Sequence, residues 1–259
     1  MSRIVLRMDD VGASTKHFEV YSKKIFGNFL FLKYLPYFRA WGVYEEIGGD
    51  EWSEIIEFLD KHDAKMTVGI TASWVEKDGS MTPFPEKYPE QSDILKEAHN
   101  LGVIEIANHG LTHCVVGKHL PKLFSSNRKF HREFWDWLPQ SEHDFHVATS
   151  QSIFKEWLGY PCDILIPPGN VYSMKTVKAC QENGISAINS SIDLEQNHNI
   201  RYLEDKNVDA FHDREIVLYG KSWLFDKIKK YKETRFTKEQ KPIVQMLERK
   251  NNESRCIRI

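Results

Sequence analysis

Apolar residues fall along this chain in two alternating rhythms. Short runs at 4–8, 65–71, 103–107, 162–166, 185–189 and 208–211 have the length of buried strands. Between them, apolar positions recur three and four apart. Trp52, Ile55, Ile56 and Leu59 mark a helix over 50–62 that Asp50 can cap. Further helices are predicted over 92–101, with Gly102 as its stop, over 144–158, stopped by Gly159 and Pro161, over 173–183, ending at Gly184, and over 222–233. The segment after Thr237 reads as one more, with Pro242 in its first turn.

Strands alternating with helices predict an α/β fold, a parallel sheet wrapped by helices. Right-handed crossovers leave two solutions, an open doubly wound sheet or a closed or nearly closed barrel. In both, functional groups gather at the carboxyl ends of the strands. Two stretches break the rhythm. One, about 12–49, is rich in aromatics; the other, about 114–143, carries Trp135, Trp137 and several His and Lys. Neither has the composition of a linker. Residues 1–259 therefore read as a single domain with two elaborated loops and a C-terminal helical segment at about 221–259.

Composition narrows the function. With 41% hydrophobic and 12% aromatic residues, the 259-residue chain is too apolar to be disordered. Lys+Arg at 35 against Asp+Glu at 37 leaves no overall positive field for nucleic acid. A chain this long can bury a core without structural metal, so a metal here would be catalytic. Cys114, Cys162, Cys180 and Cys256 lie far apart with no CxxC pair, and are expected to be reduced thiols.

The residues that follow the strands carry the candidate chemistry. The first strand ends in Asp9-Asp10. The third runs into Asn108-His109-Gly110-Leu111-Thr112-His113, the fourth into Pro167-Pro168-Gly169, and the last into His212-Asp213. His109 and His113 stand four apart, so a helical turn there points both rings to one side. Two imidazoles and a carboxylate make a three-ligand metal site with open positions for water and substrate. Asp10 is the natural third ligand. Asp9 is then free to take a proton from the activated water, and His212 to give one to a leaving group. Singly, each piece has a plainer reading: the acid pair as a turn or cap, the His pair as chance among eleven histidines, Pro-Pro-Gly as a turn. Together, all placed after strands, they predict a metal-assisted hydrolase.

At these residues the chain resembles the NodB-type polysaccharide deacetylases, carbohydrate esterases with a (β/α) barrel of seven or eight strands. Their motif T-F-D-D-G is similar to Arg7-Met8-Asp9-Asp10-Val11-Gly12, and H-(S/T)-x-x-H to His109-Gly110-Leu111-Thr112-His113, with the Thr moved beside the second His. R-P-P-x-G resembles Ile166-Pro167-Pro168-Gly169 in part, and a terminal Leu-His resembles Phe211-His212. Motif order and rough spacing agree over about residues 4–220. The resemblance implies Asp9 as catalytic base and His212 as general acid. It implies Asp10, His109 and His113 as ligands of a divalent metal, usually Zn2+, with Co2+, Mn2+, Ni2+ and Fe2+ as substitutes. The N–H after Pro168, that of Gly169, would help bind the oxyanion. The implied reaction hydrolyses an N-acetyl group on an amino sugar, releasing acetate and a free amine.

Two departures stand out. The third-motif Arg, which pairs with the base in the family, is Ile166 here. Arg7 is the candidate replacement, provided strand alternation points it to the site. The fourth motif, with its Asp and Trp, has no clear counterpart; Asp193 is nearest. The alternative reading is therefore a catalytically impaired carbohydrate-binding or assembly protein with a vestigial metal site. A third is a different metallohydrolase on the same barrel, although no Gly-rich phosphate cradle is present.

No secretory signal is visible, and the longest apolar stretch, 25–38, is broken by Asn28, Lys33 and Pro36. The expectation is a cytoplasmic enzyme acting on a nucleotide-linked or lipid-linked N-acylated sugar, in the making of a surface polysaccharide such as an O-antigen. Ile25, Phe26, Phe29, Leu30, Phe31, Leu32, Leu35 and Phe38, with Lys16, Lys23, Lys24, Lys33 and Arg39 around them, read either as a lid on the barrel or as a surface resting on the inner membrane. Trp135 and Trp137 either stack on a sugar or pack in the core. His119, His131, His143 and His146 show no ligand-like spacing, and Lys227, Lys229, Lys230 and Lys232 read as a solvated helix face.

Overall fold

The first apolar run forms strand β1 (Arg3–Val11), and six more strands of one sheet follow: β2 (Met66–Ile70), β3 (Ile104–Asn108), β4 (Ile164–Leu165), β5 (Ala187–Ser190), β6 (Arg201–Glu204) and β7 (Val208–His212). All pair in parallel, in the order β6-β5-β4-β3-β2-β1-β7. The structure, a computed structural model, describes residues 3–18, 20–22, 34–115, 132–191, 194, 200–204, 208–233 and 239–240. Helices α1 (Gly49–Lys61), α2 (Pro89–Asn100), α3 (Gln140–Leu158), α4 (Met174–Glu182), α5 (Asp213–Tyr219) and α6 (Lys221–Glu233) cover the sheet.

The sheet curls into a barrel, and the side chains show why. Leu6 and Met8 point outward, into a large core with Trp52, Ile55 and Leu59 of α1 and Leu95 of α2. Each of these fully buried side chains stabilises the fold by about 1.5–3 kcal/mol. Rings of Phe58 and Phe225 stack at 4.0 Å and join α1 to α6. A second core under α4 gathers Leu165, Val177, Cys180 and Ile188. The opposite face of the strands makes a small interior cluster of Val5, Ala107, Ile164, Ile166 and Ala187. Arg7 Nη1 also donates to Asn189 Oδ1 at 2.6 Å, although three strands separate β1 from β5 in the sheet. Only a strongly curled sheet brings those strands within one side chain's reach.

The predicted elements are largely those found, with five differences. Helix α3 begins at Gln140, so the second insertion ends before 143. Strand β6 lies in a polar stretch with no apolar alternation to reveal it, and α5 starts directly on the last residue of β7, leaving no loop as a signal. A hairpin of Ser73–Val75 with Met81–Pro83 follows β2. Glu239 and Gln240, expected to begin a helix, instead form a short strand parallel to Arg3 and Ile4; 241–259 lie outside the described residues. Lys227 reaches Asp209 at 2.8 Å, while Lys229 keeps to solvent as a helix face should. No helix among the described residues is long and apolar enough to cross a membrane.

Candidate active site

Two neighbours in a regular strand face opposite sides, so Asp9 and Asp10 should not share a site. Val5, Arg7 and Asp9 follow the alternation to the barrel interior. At Asp10 the alternation breaks. Its φ is 70°, and the pairing register of β1 with β2 shifts between Met8 and Val11. Asp and Asn tolerate this left-handed conformation best among residues with a side chain. The bulge turns Asp10 to the carboxyl end of the barrel, beside Asp9.

There Asp10 Oδ1 lies 3.2 Å from His109 Nε2 and 3.0 Å from His113 Nε2. One ligand atom from each of the three residues falls within 4.8 Å of the others. Carboxylate and imidazole donors in this arrangement fit a divalent ion. The supporting contacts fit it too. His109 Nδ1 lies 2.8 Å from the carbonyl oxygen of Ile166, so its N–H donates there and Nε2 keeps its lone pair for a ligand. Thr15 Oγ1 stands 3.2 Å from His113 Nδ1. Burial and the Arg132 guanidinium push the His113 pKa down to about 4, so the ring is neutral at pH 7, as a ligand must be. Burial works against charge on Asp10, but His212, His113 and His109 outweigh it and hold its carboxyl well below the ordinary range.

Asp9 is buried and paired with Arg7, Nη2 to Oδ2 at 2.8 Å. Alternation puts both on the interior face, so Arg7 does stand beside Asp9. Its guanidinium bridges Asp9 and Asn189. The other carboxylate oxygen, Oδ1, is buried without a hydrogen-bond partner among the described residues and lies against Gly69, where a Cβ would sit 3.3 Å away. Ile166 fills the interior next to it. Removing one partner of a buried ion pair strands the other's charge, at a cost of about 3–5 kcal/mol. Arg7→Met is therefore expected to lower the urea unfolding free energy by about that much; an unchanged midpoint would refute it.

His212 caps α5, its backbone N–H donating to Glu215 Oε2 at 2.8 Å. Its ring Nε2 is 4.0 Å from Asp10 Oδ2, and its Nδ1 is 3.6 Å from Glu215 and 2.9 Å from Arg214 Nη2. Burial alone would lower the His212 pKa, but Asp10 and Glu215 outweigh it and raise it. The guanidinium carbon of Arg214 in turn lies over Trp41, 4.0 Å from the ring centroid.

Asp9, Asp10, His109, His113, His212 and Arg214 line one cleft of about 330 Å³, with Gly169, Lys16, Tyr44 and Arg132. Every residue expected to act reaches it except Pro168, which is buried and supports the turn at Gly169 (φ 63°). A side chain at 169 would meet Arg132 Nε at 2.8 Å, so glycine is what admits that guanidinium.

Several groups went unread in the sequence. Lys16, grouped there with a basic surface, is 3% exposed instead. It pairs with Glu46 at 2.8 Å and with Asp213, which also accepts from Tyr44. Burial works against its ammonium, but Asp213 and Glu46 outweigh it and raise its pKa to about 12. Trp41, rather than Trp135 or Trp137, is the indole at the cleft. Glu215 had a faint signal, since an acid three residues after a helix N-cap is a capping box. Asp193, His119, His131, Cys256 and most of 25–38 lie outside the described residues; Leu35 and Tyr37 are exposed. Cys114, Cys162 and Cys180 are buried, and Cys162 and Cys180 are free thiols.

The family model described as "Polysaccharide deacetylase" matches residues 43–188, more than half of the chain. It spans His109, His113 and Gly169 but neither acid of β1 nor His212. No curated protein matches. Among solved structures, the chain is similar to a putative polysaccharide deacetylase from Mycobacterium smegmatis, with 11% identity, TM-score 0.58, and 98% of this chain and 91% of that one covered. It is also similar to the Xyl-CE4 domain of a multidomain xylanase from the hindgut metagenome of Trinervitermes trinervoides, at 11% identity, TM-score 0.51, and 96% and 91% coverage. A 4-alpha-glucanotransferase from Thermococcus litoralis gives 13% identity and TM-score 0.52 over 96% of this chain and 38% of that one. At such identity these likenesses show the fold, a NodB-like (β/α) barrel, and the last shows that the fold hosts other chemistry.

Proposed function

The chain belongs to the polysaccharide deacetylase family, and from that premise we propose that it is a metal-dependent hydrolase removing an N-acyl group, an acetyl in the simplest case, from an amino sugar. The observation that carries the reading is the convergence of Asp10, His109 and His113 at one point of a cleft that Asp9 and His212 also line.

A divalent ion held by Asp10, His109 and His113, Zn2+ by the chemistry of its donors, would supply the Lewis acidity that activates water and polarises the acyl carbonyl. The rest is the work of the chain. Asp9 takes the proton of the attacking water, with Arg7 holding the carboxylate in place. Gly169 N–H donates to the acyl oxygen as negative charge gathers there. His212 gives its proton to the departing nitrogen, so the non-peptide C–N bond breaks to yield a carboxylic acid and an amine.

Glu215 serves His212 in this scheme. Burial would raise the Glu215 pKa, but its hydrogen bond to His212 and the charge of Arg214 outweigh it and bring it down to about 2. Its stabilising charge is thus complete above about pH 4.5 and lost as pH falls toward 2. Glu215→Gln removes an anion that raises the His212 pKa. Since the acid must be protonated, the alkaline limb of kcat against pH is expected to move to lower pH. A limb that stays in place would remove Glu215 from the acid's surroundings.

Acetate release from a panel of N-acetylated sugars, nucleotide-linked and polyprenyl-phosphate-linked among them, with Zn2+, Co2+ or Mn2+ added, tests the whole reading. The exposed Tyr34, Leu35, Tyr37 and Val43, near Trp41 in sequence, support the lipid-linked class and a role in surface-polysaccharide synthesis. Metal-loaded protein that releases acetate from none of them would favour the vestigial, carbohydrate-binding alternative.

A further inference from the structure

We propose that Glu133, some twenty residues from the metal-binding loop in sequence, is the positioning residue that shapes that loop; this rests on the deacetylase reading of the site. The loop from His109 to His113 must hold two rings at one point while running through Gly110 at φ 85° and His113 at φ 67°. Its carbonyl groups are met by β2 and the hairpin after it: Gly110 O by Ala72 N–H at 3.0 Å and Leu111 O by Ser73 N–H at 2.7 Å. His109 N–H still meets Ile70 O of β2 at 2.8 Å, but the N–H groups that follow turn to side chains. Gly110 N–H donates to Asn108 Oδ1 at 2.8 Å. Leu111 N–H donates to Glu133 Oε2 at 2.8 Å and Thr112 N–H to Oε1 at 2.5 Å, with the Thr112 hydroxyl 3.3 Å from Oε1.

Glu133 is fully buried, which is costly for a carboxylate unless donors surround it. They do, and His146 Nδ1 of α3 adds a fourth contact at 3.1 Å from Oε2. Burial would raise the Glu133 pKa, but these partners outweigh it. A second observation fits the same role. A Cβ at Gly110 would lie 2.5 Å from Glu133 Oε2, so the glycine between the histidines leaves room for the carboxylate to approach. Two backbone N–H groups bound by one rigid anion set the loop's path, and that path sets where His109 and His113 converge. Glu133 touches neither the metal ligands' nitrogens nor the cleft, so its action is on the geometry of the ligands.

The test is metal affinity of the full chain. Protein stripped with a chelator is titrated with Zn2+ or Co2+ by calorimetry, at a temperature where circular dichroism shows each variant folded. Glu133→Gln keeps the shape but leaves only one oxygen as an acceptor. It is expected to weaken metal binding roughly 10–100-fold, as supporting residues of metal sites do. Glu133→Asp keeps the charge but shortens its reach, and serves if the Gln variant does not fold; an intermediate loss is expected. A purely structural role would lower the melting temperature of the metal-free protein and leave the affinity of folded protein unchanged. Folded variants binding within about threefold of wild type, well short of the expected loss, would overturn the clamp while leaving the deacetylase reading intact. Wild type that takes up no metal would overturn both.

Discussion

Replacing Asp9 with Asn is expected to lower acetate release by about 10²–10⁴-fold, the usual share of a positioned base, and to leave the bound metal in place. Asn matches Asp in size, and it can still accept from Arg7 through its amide oxygen. What it lacks is the charge, and with it the basicity, so turnover is compared on folded protein because Arg7 loses its buried counter-ion. Asp9 Oδ1 is buried, points toward Gly69 and has no hydrogen-bond partner among the described residues. A buried acceptor without a partner calls for an explanation, and here a proton to be abstracted is one. Turnover by steady-state kinetics and metal content by elemental analysis on the same sample decide the matter. Full activity in Asp9→Asn would show that the base is elsewhere.

His113→Ala is expected to abolish both metal uptake and turnover. It removes a ligand itself, so the loss of metal affinity should exceed the roughly 10–100-fold that a supporting residue costs. Folding is a separate matter, because His113 adopts φ 67°, where a side chain is strained. His113→Gly removes the same imidazole while accepting that conformation freely. It should bind no metal yet melt at or above the temperature of His113→Ala. The pair of variants separates a lost ligand from a lost fold, and metal retained at wild-type affinity in both would dismantle the site. The contrast with Asp9→Asn, where metal stays and turnover goes, distinguishes ligand from base.

Charged partners for the base and the acid come from near in sequence. Arg7 is two residues from Asp9, and Glu215 is three from His212. The third-motif Arg that the resemblance would place beside Asp9 is Ile166 here. Ile166 lies buried in the barrel interior beside Asp9, so its side chain adds apolar packing and its backbone carbonyl orients His109. That substitution alone suggests a dead site. The Arg7–Asp9–Asn189 bridge shows a cation kept beside Asp9, the proposed base, by another route.

By itself the sequence determined the alternation of strands and helices and the gathering of Asp9, Asp10, His109, His113, Gly169 and His212 at strand ends. Those follow from local rules: a period of two or 3.6 records which face is buried, and a strand end in a parallel sheet is a fixed place. Its rhythm could not choose between an open sheet and a barrel, which share it, and only the family resemblance pointed to the barrel. Tertiary structure chose the barrel, and with it decided how Arg7 reaches Asn189, 182 residues away, and how Glu133 reaches Leu111, 22 residues away. It also buried Lys16 between two carboxylates, where composition suggested a surface charge. The pairing of a buried charge is a property of what the fold carries to it, and no local pattern records that partner.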